Sequence, residues 1–85
     1  MSFQLSIVTP AGPAFEGQVD FITAPGLMGG FQVYSGHMPM VAALKAGPAK
    51  VNIAGKDTIF NLDSGVLEVK PNHDVLVLVD QATTA

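Results

Sequence analysis

No cysteine and no arginine occur among these 85 residues. Without cysteine there is neither a disulfide framework nor a thiolate-held metal; the absence is compatible with a reducing compartment and does not require one. Without arginine the chain lacks the planar fork that grips phosphates and guanine edges. The only basic side chains besides histidine are Lys45, Lys50, Lys56 and Lys70, and the net charge is −3. Nucleic acid is therefore not an expected partner, and a nucleotide site is disfavoured. Charge of either sign is scarce, at 13% against 48% hydrophobic residues, where a typical soluble domain carries about 25% charge. Such a surface predicts that another molecule covers part of the apolar exterior. Long apolar runs are also missing. None exceeds Met40 to Leu44 in length, far short of the ~20 residues that span a bilayer, so no bilayer insertion is expected. No basic segment at the N-terminus leads into an apolar stretch, and no secretory signal is expected. Finally, no window carries a helical period; the one candidate, "MVAALKAG", is short, uncapped and preceded by proline.

What remains is β throughout, in one domain spanning 1–85. A chain this small gains from an external brace. "FQLSIVT" puts Phe3, Leu5 and Ile7 on one face, as a half-buried strand does. "PAGP" (Pro10 to Pro13) breaks that strand. "QVDFITA" then places Val19, Phe21 and Thr23 together, "PGLMGG" reads as a loop, and "FQVY" as a short strand. "GPAKVNIAGKDTIFNL" reads as a hairpin with Ala54 to Asp57 at its bend. "GVLEV" and "DVLVLVD" form another across Pro71-Asn72-His73. The last strand is apolar on both faces, Val75, Val77 and Val79 on one and Leu76 and Leu78 on the other. Both sides should be covered, one by a second sheet and one by a partner. Short strands at close intervals predict a sandwich or small barrel.

Candidate chemistry is thin. Zinc needs three or four ligands, and the chain offers only His37 and His73, well apart in sequence. Ser35 or Ser64 with His37 and an aspartate could make a triad on paper, but neither serine sits on a strained elbow and no oxyanion donor can be named. Gly26, Gly29 and Gly30 lead into a strand, whereas phosphate loops lead into a helix N-terminus. The seven acids are scattered and read as a solvated face rather than a catalytic pair. One sharper alternative is a lipoyl- or biotin-carrying domain with Lys45 as the modified lysine. Lys45 is flanked by Leu44 and Ala46 instead of the usual acids or methionines.

"TAPGLMGGFQVYSGHMPMVAALKAG", with the downstream "SGVLEVKPNHDVLVLVDQA" and the opening "FQLSIVTP", resembles the epsilon subunit of F-type ATP synthases (delta in mitochondria). The family signature is met by Pro25-Gly26, Gly29, Gly36-His37, Pro39 and Lys45-x-Gly47, in order and with matching spacing over nearly the whole chain. The resemblance implies an all-β, flattened sandwich of ten strands in two five-stranded sheets, without catalytic residues, nucleotide, metal or cofactor. It implies a central-stalk rotor subunit that joins gamma to the c-ring and couples proton flow to ATP synthesis. Such a subunit lies peripherally on the cytoplasmic face of a bacterial inner membrane.

By position, the resemblance assigns Val8, Thr9, His37, Met38, Met40 and Val41 to the gamma interface and Leu27, Met28, Gly29 and Gly30 to the c-ring interface. Pro25, Gly26, Gly36, Pro39, Gly47 and Gly65 become structural turn residues. Three departures stand out. Gly30 replaces a glutamate common in the family, Val66 stands at a glycine position, and Phe31-Gln32-Val33 replaces a common Leu-Gly-Val. Typical members continue into a helical hairpin that binds ATP in some bacteria and acts as a brake. The chain ends at Ala85, so neither the helices, the ATP site nor the brake is expected.

Overall fold

A computed structural model of the chain describes residues 1–84, which form ten strands and no helix. They are β1 (Phe3–Thr9), β2 (Gly12–Val19), β3 (Phe21–Ala24), β4 (Phe31–Tyr34), β5 (Met40–Leu44), β6 (Gly47–Ile53), β7 (Lys56–Leu62), β8 (Gly65–Val69), β9 (Val75–Val79) and β10 (Ala82–Thr84). One sheet has the order β2-β1-β9-β8-β5 and the other β10-β7-β6-β3-β4. All neighbours are antiparallel except β1 and β9, which run parallel with Leu5 opposite Val75 and Ile7 opposite Val77. The expected two five-stranded sheets are present. The flattening lies in the two packed layers and not in the outline, which measures 27 × 25 × 24 Å.

The core lies between the sheets and is wholly apolar. Leu5, Ile7, Leu67 and Val77 from one sheet meet Ile22, Val33, Ala49 and Val51 from the other, each fully buried. Among the described residues no polar or charged side chain is buried. Burying each such aliphatic side chain contributes about 1.5–3 kcal/mol against the entropy of ordering the chain. Phe15 on β2 and Phe60 on β7 close one side of the sandwich, ring edge to ring face at 5.8 Å. The other side is closed by the Pro25–Gly30 loop, where Gly26 bridges to Leu44 and the Leu27 amide donates to the Ala43 carbonyl at 2.9 Å.

Three local expectations change. Val19, Phe21 and Thr23 do not share a face. β2 ends at Val19, and the chain crosses to the second sheet at Asp20, so the next inward residue is Ile22. Asp20 fixes this corner: its amide donates to the Asn52 carbonyl at 2.7 Å, and its carboxylate accepts from the Ala54 amide at 3.0 Å. In "PAGP" only Pro10 and Ala11 turn, while Gly12 and Pro13 already belong to β2. The β6–β7 bend is confined to Ala54 and Gly55, both with positive φ, and Lys56 and Asp57 are in strand. In line with the all-β reading, "MVAALKAG", which is not expected to be helical, is strand β5 over Met40–Leu44.

Candidate functional site

The two outer faces of the sandwich differ in chemistry. On the sheet containing β4, the outward residues are largely polar: Gln32 lies opposite Thr23, which lies opposite Lys50 and then the half-buried Ile59, and Tyr34, Phe21, Asn52 and Asp57 form the next row. Their side chains satisfy one another. Gln32 Nε2 donates to Thr23 Oγ1 at 3.1 Å, Tyr34 Oη donates to Gln32 Oε1 at 2.9 Å, and Asn52 Nδ2 donates to Asp57 Oδ1 at 2.8 Å. The face is built for water.

The outward face of the other sheet is not. Strand register places Ala43, Val66, Leu78, Val8 and Pro13 in one row across all five strands. Four strand spacings of about 4.8 Å make this row roughly 19 Å long. The adjacent row, Val41, Glu68, Leu76, Ser6 and Glu16, mixes three polar residues with two apolar ones. Leu78 is 44% exposed and Val41 69%. Isolated apolar residues on a surface need no explanation; a contiguous row rimmed by carboxylates makes this the candidate contact face. Beside it, Val8, Thr9, Ser64, Gly65, Leu78 and Asp80 line a shallow groove.

The residues expected at the gamma interface fall into two groups. Val8 and Thr9 lie at the end of β1, in or beside the apolar row. His37 and Met38 lie at the opposite end of the sandwich, before β5. Val41 faces outward on the same sheet as Val8, with strands β9 and β8 between them. Met40 points the other way and packs against the core. At the turn, the His37 amide donates to the Tyr34 carbonyl at 3.3 Å, with Gly36 at φ +80° in the third position. The His37 ring turns back on its own backbone. Its Nδ1 lies 2.8 Å from the Met38 carbonyl oxygen, which can only accept, so Nδ1 carries the proton and Nε2 remains free.

The expected c-ring residues form a loop tip. Leu27, Met28, Gly29 and Gly30 are exposed, Met28 almost completely at 98%. The tip is held from below: the Lys45 amide donates to the Pro25 carbonyl at 2.9 Å, and Gly29 to Gly26 at 3.1 Å. A Cβ on Gly26 would collide with the Gly29 carbonyl oxygen and come within 2.8 Å of the Phe31 ring. Leu27, Met28, Phe31, Ala42 and Ala43 line an apolar crease beneath the tip.

Among the turn residues, Pro25, Gly26, Gly36 and Pro39 sit in connections. Gly47 and Gly65 do not: they open β6 and β8. Gly65 is needed because an added Cβ would run into the Leu78 backbone carbonyl, and at Gly47 a Cβ would come 3.2 Å from Pro25 Cβ. Lys45 lies on the crossing from β5 to β6, which joins the two sheets, rather than at a hairpin tip. The carrier-domain alternative is therefore not favoured. Sequence reasoning missed Ala43, Val66 and Pro13 as surface partners; only the double-sided β9, with Leu76 and Leu78, signalled the row.

Fold and surface together define a small β-sandwich with one wetted outer face and one largely apolar one. Residues 2–85 match the family described as ATP synthase, Delta/Epsilon chain, beta-sandwich domain, and the chain belongs to that family. It is 40% identical over 80 residues to an ATP synthase epsilon chain of Chlorobium limicola, covering 93% of this chain and 91% of that one. To the ATP synthase epsilon chain of Priestia megaterium it is 33% identical, covering 99% of this chain and 62% of the relative. Its fold is similar to a chain of the Euglena gracilis mitochondrial ATP synthase structure containing OSCP, F1 and c-ring, with a TM-score of 0.91 at 21% identity, covering 98% of this chain and 53% of that one. A chain of the Tetrahymena thermophila mitochondrial ATP synthase central stalk and c-ring gives 0.82 at 14% identity, covering 98% and 66%.

Proposed function

We propose that the chain is a non-catalytic central-stalk subunit of a proton-translocating F-type ATP synthase. The sheet with order β2-β1-β9-β8-β5 lays its outer face against the gamma subunit. The Leu27–Gly30 tip rests on the c-ring. Turning with both, the sandwich helps transmit ion flow to distant catalytic sites without itself binding nucleotide, metal or cofactor. It lies peripherally on the cytoplasmic face of a bacterial inner membrane. Apart from family membership, the observation that carries this reading is the asymmetry of the outer faces: an apolar row five strands wide on one sheet and a self-satisfied polar network on the other. Interfaces are depleted of charge at their centre and polar at their rim, as this row is with Glu68 and Glu16 beside it. The two exposed apolar side chains at the loop tip, Leu27 and Met28, form a second and smaller contact, in which methionine packs adaptably.

The test is a titration of the folded domain with its cognate gamma subunit. A complex is expected at micromolar concentration or below. No complex with gamma, and no incorporation into the assembled motor, would overturn the proposal.

A further inference from the structure

We infer that His73 is a positioning residue for the docking segment: from the β8–β9 turn, its imidazole holds the His37 carbonyl and sets the shape in which His37 and Met38 meet a partner. The inference rests on the docking reading above. His73 Nδ1 lies 3.1 Å from the His37 carbonyl oxygen, 36 residues away in sequence. That oxygen can only accept, so Nδ1 donates.

The Ser35–Pro39 segment makes no strand pairing. Beyond its internal turn, its other long-range tie is a weaker hydroxyl contact, Ser35 Oγ to the Ser2 carbonyl at 3.3 Å. His73 is in turn held firmly. Its amide donates to the Lys70 carbonyl at 2.8 Å, and Lys70 donates to the Asp74 carbonyl at 2.8 Å. Asn72 Oδ1 accepts from the Asp74 amide at 3.1 Å.

The backbone at His73 has φ +71°, a conformation that glycine adopts freely and asparagine tolerates better than most residues. A side chain kept at a strained position points to a use for that side chain. Here the use is visible: the ring bridges the β8–β9 turn to the segment that precedes β5.

Three substitutions separate the donor from the backbone conformation. His73→Asn keeps a donor at the branch position of Nδ1 and tolerates positive φ. His73→Asp has the same shape but offers only an acceptor to an acceptor. His73→Gly removes the side chain and relieves the backbone. Affinity for the cognate gamma subunit should stay within about twofold of wild type for Asn. It should fall about threefold to tenfold for Asp and Gly, the effect of one exposed hydrogen bond. The melting temperature of the Gly variant should stay within a few degrees of wild type. Amide resonances of His37 and Met38 should move in the Asp and Gly variants and hold in Asn. Leu78→Glu, in the apolar row, is the control. If Asp and Gly bind like wild type while Leu78→Glu is weakened, the positioning role is wrong and the docking reading stands. If Leu78→Glu also binds like wild type, the docking reading fails and this inference with it.

Discussion

At Gly65 an added methyl group would run into the Leu78 backbone carbonyl, whereas at Gly36 nothing lies within 4 Å and only φ +80° resists a side chain. The two glycines therefore answer to different physics. Backbone cannot shift without moving β9 away from β8, so Gly65→Ala should cost about 3 kcal/mol. Gly36→Ala should cost about 1 kcal/mol, the ordinary penalty of a left-handed alanine. Urea denaturation of the two variants checks this; equal losses would contradict it. His37 shows how far single residues were legible. The sequence places it in a bend between Gly36 and Pro39, and the structure agrees. It could not show that Nδ1 is already committed to the Met38 carbonyl, which leaves Nε2 as the atom able to meet a partner.

Among the elements, the two hairpins and β1 follow directly from alternation and turn residues, and each is present, the β6–β7 bend being shorter than expected. β2 was hidden because it contains Pro13 and two glycines, Gly12 and Gly17. It tolerates them as an edge strand, and Pro13 sits beside a register shift between Ile7 and Val8. β10 is three residues long on the opposite sheet's edge, too short to show a period. The corner at Asp20 breaks the two-residue alternation, because Val19 and Ile22 are three apart and both buried. Nor can alternation reveal that β1 lies beside β9 in parallel, since that pairing is made by the whole topology. The β6–β7 turn supplies a test at this scale. Ala54 and Gly55 have φ +51° and +84°, the conformation that favours Asn-Gly. The Asp20 carboxylate accepts only the backbone amide of Ala54, so replacing the side chain leaves that bond intact. Ala54→Asn should stabilise the domain by about 0.5–1 kcal/mol and raise its melting temperature by a few degrees. An unchanged or lower melting temperature would show that the turn is not limited by Ala54.

For the whole molecule, composition predicts a covered exterior without showing where. Few charges and many aliphatics describe both a large core and a dry exterior; only register separates them. Once β5, β8, β9, β1 and β2 are laid side by side, Ala43, Val66, Leu78, Val8 and Pro13 line up facing outward, while the opposite sheet spends its polar residues on the solvent side. The central claim is thus sided: one sheet docks and the other is wet. Hydroxyl-radical footprinting of the chain, free and assembled with the motor, tests it most directly. Leu78, Val66 and Val41 should lose most of their oxidation on assembly, while Tyr34 and Ile59 on the other sheet react as in the free domain. Protection of Tyr34 and Ile59 with Leu78 and Val66 still reactive would contradict the account.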